Sequence, residues 1–236
     1  MRNKTFISSM VMSVACVSAA NAGVVDPFSV NPSKTASTNG ISLVTNSYAY
    51  SGGLFDTATM MVQTQNSSTT ASATSGTGSL ALSTSPRNTG NGTSSVTFGM
   101  QYSNANQSSV NMTGLVDFSI TVGAIANFGT NPQIRMYVTD NNNGNNWWFT
   151  SLVSIASNTT YRFLAADFIK DDGSGGVLNW ASDVKFLGLE VLRSTGGTAS
   201  ASSSMQLSNF TYTVPAPGAL ALLGVAGRVG GRRRRA

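Results

Sequence analysis

Between positions 134 and 139 apolar and polar residues alternate strictly. Ile134, Met136 and Val138 are interleaved with Arg135, Tyr137 and Thr139, the period-2 pattern of a strand buried on one face. The same pattern returns at Phe118, Ile120 and Val122, across 184–192 (VKFLGLEVL) and in 205–214 (MQLSNFTYTV), and nowhere does the chain sustain a 3.6-residue period. Gly, Asn and Ser clusters separate these segments. Asn143-Gly144 within DNNNGNN tolerates the positive φ of a tight hairpin turn, with WWFTSL as the partner strand. Short strands divided by turn residues predict an all-β fold, a jelly roll or β-sandwich of two antiparallel sheets. The stretches 65–79 (QNSSTTASATSGTGS) and 86–95 read as polar loops, and Trp180 is expected to cap the core beside Val184 and Phe186.

The ends of the chain differ from this body. Arg2 and Lys4 precede an apolar run that leads to Ala20-Asn21-Ala22, the layout of a secretory signal peptide over 1–22 with cleavage after Ala22. Acylation of Cys16 as a lipoprotein is the rival, disfavoured because Ser13 stands where such signals usually carry leucine. Cys16 is the chain's one cysteine, so the exported protein would have no disulfide staples. The other end, 214–236, joins a Pro-x-Pro hinge to GALALLGVAG and the run Arg232, Arg233, Arg234, Arg235. Ten residues between Pro217 and Arg228 fall short of the roughly 20 that a membrane span needs. The basic pI of about 9.7 comes from these ends: positions 23–213 hold seven Lys and Arg against nine Asp and Glu, a net charge of −2. A nucleic-acid-binding body is therefore not expected.

Val214, Pro215, Ala216 and Pro217, the run 219–224 (ALALLG) and the four arginines resemble a PEP-CTERM sorting signal, with Ala216 in place of the usual glutamate and Arg228 interrupting the hydrophobic helix. The resemblance implies a bacterial substrate of an exosortase, held transiently at the inner membrane and sorted to the cell envelope, outer surface or extracellular matrix. VVDPFSV, SGGLFD at 51–56 and the couplet DVKFLGLEVL and LSNFTYT resemble the bodies of such proteins, a jelly roll like that of carbohydrate-binding modules. Relatives often carry arginine where Phe55 stands. The implied organisation is a signal peptide at 1–22, a β-sandwich at 23–213 and a sorting tail at 214–236. The implied role is a structural or carbohydrate-binding component of exopolysaccharide or biofilm.

With no histidine and no body cysteine, the usual nucleophile–base arrangements and zinc sites are unavailable, and the chain reads as a non-enzyme that needs no cofactor. The alternative is a secreted carbohydrate-active enzyme using the acidic loop near Asp171, with Asp167, Asp172, Asp183 and Glu190 as further carboxylates. A self-assembling surface protein is the third reading. Asp140-Asn141-Asn142-Asn143-Gly144 approaches an EF-hand start, but its glycine comes one residue early and Ser151 stands where the loop needs Glu. Asp171 and Asp172 offer oxygens for a structural Ca²⁺. Trp147 and Trp148, adjacent on a strand, point to opposite faces. Either both are buried, one in the sandwich core and one beneath a loop, or one is exposed beside Tyr137 and offers a platform for the apolar C–H face of a sugar ring, with Arg135 and asparagines as hydrogen-bonding partners.

Overall fold

The computed structural model describes residues 20–30, 33–39, 42–64, 70–84, 94–128, 131–140, 146–195 and 202–215. The elements run β1 (Ala20–Asp26), β2 (Lys34–Asn39), β3 (Ser42–Ala49), β4 (Thr57–Thr64), β5 (Thr70–Gly76), β6 (Ser79–Thr84), β7 (Ser94–Ser103) and β8 (Asp117–Ala126). They continue as β9 (Gln133–Thr139), β10 (Trp147–Phe149), β11 (Val153–Ser154), β12 (Thr159–Leu164), a 3₁₀ turn (Ala165–Asp167), β13 (Ile169–Lys170), β14 (Phe186–Thr195) and β15 (Ser203–Pro215). Residues Ala22–Val214 form one compact unit. Among the described residues no helix is long and apolar enough to cross a membrane.

Two sheets make a jelly-roll sandwich. One has the order β12-β8-β15-β6-β5-β2, with β1 paired to β15; the other runs β13-β10-β9-β14-β7-β4-β3, with β11 paired to β9. Every pairing with a defined register is antiparallel. The alternation read in the sequence sets which face is buried. Ile134, Met136 and Val138 of β9 join Leu187, Leu189 and Val191 of β14 and Phe98 and Met100 of β7 in the core. The other sheet contributes Phe118, Ile120 and Val122 of β8 with Met205, Leu207 and Phe210 of β15. Each such side chain contributes about 1.5–3 kcal/mol on burial.

Three expectations are corrected. From Thr70 onward the polar stretch is not a loop: β5 occupies Thr70–Gly76 and β6 begins at Ser79, while 65–69 lie outside the described residues. Ala71, Ala73 and Ser75 point inward there, so the period of 2 is present but written in small residues that a hydropathy reading passes over. The stretch 86–95 gives its last two residues to β7. Trp180 does cap the core, but against Phe118 and Phe168, at 6.1 and 5.2 Å between ring centroids. Phe186 belongs to the other side of its sheet, outside the core that Val184 and Leu187 join. The hairpin residues 141–145, residues 1–19 of the signal segment, and Ala216, Pro217, Arg228, Arg232, Arg233, Arg234 and Arg235 lie outside the described residues. Ala20 and Ala22 fall in β1, and Val214 and Pro215 close β15.

Candidate carbohydrate-binding face

The outer face of the eight-stranded sheet collects the aromatic residues that the core does not use. Cross-strand register places Ile169, Phe149, Tyr137, Gly188, Gln101, Thr59 and Ser47 in one row across seven strands. The next row runs Trp147, Thr139, Phe186, Ser103 and Thr57. Trp147 and Phe149, two residues apart on β10, share this face, with ring planes 9° apart and centroids separated by 5.9 Å. Tyr137 lies beneath both, 5.2 Å from Trp147 and 5.8 Å from Phe149. Its ring rests on Gly188, where a Cβ would enter the ring itself. That is why Tyr137 is 1% exposed on a face turned away from the core. Burial drives its phenol pKa up, and Glu190 adds to the effect. Trp147 and Phe149 remain partly exposed above this floor.

Arg135 and Glu190 face each other on β9 and β14, one row along. Arg135 Nε donates to Glu190 Oε2 at 2.7 Å, and the guanidinium lies 4.2 Å from the Phe149 ring centroid. The carboxylate thus holds the arginine flat against an aromatic ring, leaving its other N–H groups to reach a ligand hydroxyl. Opposite Glu190 on β7 stands Gly99, and the Met61 side chain from β4 lies against it. Beyond it β4 and β3 present uncharged hydroxyls, Ser47 and Thr59 bonding at 2.8 Å. Apolar ring faces beside neutral hydroxyls and one oriented guanidinium are what a sugar needs: C–H surface to cover and donors to match.

Of the residues expected at such a site, Tyr137, Trp147 and Arg135 come together here. Trp148 does not: it points inward, is 5% exposed, and its Nε1 donates to Gly176 O at 3.0 Å. Sequence reasoning missed Phe149, Phe186 and the role of Glu190. Phe149 was accessible by the same alternation that places Trp147, since residues i and i+2 share a face.

The acidic residues disperse. Asp171 extends the β13–β10 register, its amide donating to Trp147 O at 2.8 Å, so it borders the aromatic rows. Glu190 is three strand spacings from it in the sheet order, roughly 14 Å. That exceeds the roughly 5–9.5 Å between the two carboxyls of a glycosidase. Asp172 pairs with Lys170 at 2.9 Å, and hydrogen bonding from Ser174 together with that ammonium lowers its pKa to about 2. Asp167 accepts the Leu164 amide at 2.8 Å, and Asp183 accepts that of Asn179 at 2.9 Å. Among the described residues no group of three or more His, Cys, Asp or Glu is placed to hold a metal ion. Asp171 and Asp172 alone supply too few protein oxygens for the six to eight ligands of Ca²⁺.

Two cavities adjoin the face at the edge where β12 and β13 leave the sandwich open. One, of about 390 Å³, is lined by Phe168, Ile169, Lys170, Val177, Leu178 and Trp180 among others. The second, of about 340 Å³, includes Thr150, Val153, Arg162 and Asp167, and shares Ala166 and Ile169 with the first.

No protein-family profile matches the chain, and no curated protein matches it. Solved structures do. A family 11 carbohydrate-binding module from Clostridium thermocellum, in complex with a β-1,3-1,4-mixed-linked tetrasaccharide, is 12% identical over 81% of this chain and 94% of its own, with a TM-score of 0.41. The family 11 module of a cellulosomal cellulase from the same organism is 13% identical over 84% of this chain and 97% of its own, TM-score 0.44. An enzymatically active tailspike domain from a bacteriophage reaches 0.31, at 9% identity over 82% of this chain and 21% of its own. At these scores the sandwich assignment stands on the sheet order and register described above.

Proposed function

We propose that this is an exported bacterial protein of the cell envelope or extracellular matrix, in which the β-sandwich binds polysaccharide through the outer face of its eight-stranded sheet. The observation that carries this reading is the aromatic face itself. Trp147 and Phe149 are held side by side over buried Tyr137 and are flanked by an arginine that Glu190 keeps flat. Rings on a sheet face that the core does not need cost solvation unless a partner covers them. A sugar ring, apolar on its C–H faces and polar at its rim, fits that pattern better than a charged or wholly apolar partner. The route outward rests on the signal-peptide layout of 1–22 and on the likeness of 214–236 to an exosortase signal.

The test is titration of the exported protein with a panel of neutral oligosaccharides, followed by tryptophan fluorescence and calorimetry. Binding is expected, with Trp147→Ala lowering affinity at least tenfold and Trp148→Phe, in the interior, leaving it within about twofold. Absence of binding across neutral and acidic glycans would overturn the reading. So would affinity that survives Trp147→Ala.

A further inference from the structure

Ile169 is 61% exposed, and it stands directly opposite Phe149 in the β13–β10 register. It therefore extends the row formed by Tyr137 and Phe149 to the rim of the sheet. It also lines both cavities at the sandwich edge. Val177, 90% exposed, and Trp180 carry the apolar surface onward into the larger cavity. That cavity is mainly apolar because the 3₁₀ turn and β13 carry the chain from one sheet to the other, leaving Phe168 and Trp180 packed at right angles beneath it. Its far wall is anchored, since Trp148 donates to Gly176 O from the interior. The charged groups that line the two cavities are all engaged: Lys170 with Asp172, Arg162 with Asp117, and Asp167 with the Leu164 amide. Both cations among them are paired, and Asp167 is the one carboxylate there held only by a backbone amide.

We infer that the polysaccharide site continues over the β13 edge through Ile169 into the cavity beside Trp180, and so takes an internal stretch of an uncharged glycan. This inference rests on the polysaccharide reading of the sheet face. From Tyr137 on β9 to Ile169 on β13 is two strand spacings, roughly 10 Å. The cavity beyond adds a volume within the roughly 300–1,000 Å³ of ordinary ligand pockets. A chain of two sugars covers the face alone, whereas one of four or more also reaches the edge. Occupancy by the same glycan follows from continuity, because one side chain belongs to both surfaces, and from the pairing of both lining cations, Lys170 and Arg162, which leaves neither to recruit an anionic ligand. Affinity should accordingly rise with chain length and then level off.

The experiment measures the affinity of the exported protein for neutral oligosaccharides of two, four, six and eight units, in wild type and in Ile169→Ser, Val177→Asp and Trp147→Ala. The expected result is affinity at least tenfold higher for six units than for two. Ile169→Ser and Val177→Asp should each remove most of that gain, and Val177→Asp, which lies outside the rows of the face, should leave the two-unit affinity within about twofold. Both positions are on the surface, and a thermal melt identifies any variant that fails to fold. Equal affinity for all lengths would overturn the extension while leaving the face intact. Unchanged affinity for long chains in both edge variants would do the same. A concentration-dependent dimer abolished by Ile169→Ser would assign the edge to a second copy of the chain and overturn it as well. Loss of all binding in Trp147→Ala alone identifies the face as the primary site; absence of binding in wild type removes face and extension together.

Discussion

Substituting Asp26 by asparagine should make the protein more stable at neutral pH and remove much of the pH dependence of its folding. Asp26 ends β1 and is fully buried. Its Oδ1 accepts the Phe28 amide at 2.6 Å, but its Oδ2 has no hydrogen-bond partner among the described residues. Around it lie Tyr48, Tyr50 and Tyr102, with the hydroxyls of Tyr48 and Tyr102 and Oγ of Ser75 likewise unpartnered. Burial raises the Asp26 pKa from 3.8 to about 6, against a smaller opposing effect of the Phe28 amide. The phenols respond in the same sense: burial pushes Tyr48 up to about 12 and Tyr102 well above its ordinary value. A carboxyl whose folded pKa is raised favours folding fully below 3.8, where it is protonated in both states. That contribution is lost as pH climbs through about 6. The difference corresponds to about 3 kcal/mol. Asparagine keeps the Oδ1 acceptor and cannot ionise. The variant should therefore match wild type near pH 3.5 and exceed it at pH 7 by up to about 3 kcal/mol, a Tm gain of roughly 6–12 °C for a chain of this size. Thermal and urea melts of both proteins at pH 3.5, 5, 6 and 7 check this. Taking the difference between the proteins cancels Asp172, whose lowered pKa makes its contribution to stability run the opposite way with pH. A difference that does not change between pH 3.5 and 7 would refute the reasoning.

Gly188→Ala should displace the Tyr137 ring and destabilise the protein by about 1–3 kcal/mol, as overpacking does. Adding Tyr137→Ser relieves the clash but loses the buried ring, so in urea melts the double variant should lose less than the sum of the two single losses. Glu190→Gln should cost less than about 1 kcal/mol, because the ion pair with Arg135 is partly exposed. The same change should weaken glycan binding several-fold by freeing the guanidinium from Phe149, a contrast that calorimetry beside denaturation would read. Intact masses of the native protein from envelope and medium should show residues 1–22 removed and the chain ending near Pro215; a mass retaining the four arginines would contradict sorting by tail cleavage.

Much of the sandwich was readable because β8, β9, β14 and β15 announce their inner faces with large apolar residues at every second position. β5 was not, because its inward positions are the small residues Ala71, Ala73 and Ser75, which carry little hydropathy signal. The opposite orientations of Trp147 and Trp148 follow from strand geometry alone. Which of them stays outside depends on register with Thr139 and Val138, a fact about pairing rather than about the residues themselves. The same limit hid the burial of Tyr137, since only the strand order brings Gly188 under its ring. Glu190 looked like an isolated acid on a polar face, and its partner lies 55 positions earlier in the chain. Asp26 stood only as one residue of the VVDPFSV segment, because nothing local to 24–30 reveals three tyrosines converging from β3, the segment after it and β7.

The sheet order also bears on how the chain reaches its folded state. β14 lies between β9 and β7, and β15 between β8 and β6, so the last two of the described strands in chain order occupy interior positions in the two sheets. Until they arrive each sheet exists only as separate halves with unpaired edges, and the cores that Leu189 and Leu207 complete are open. Such long-range pairing makes folding slow and late. A chain emerging from the ribosome would remain unfolded through almost its entire length, the condition in which a translocation channel accepts its cargo. Shortening the protein from its C-terminal end past β14 would then leave no smaller folded domain behind, only an extended polypeptide.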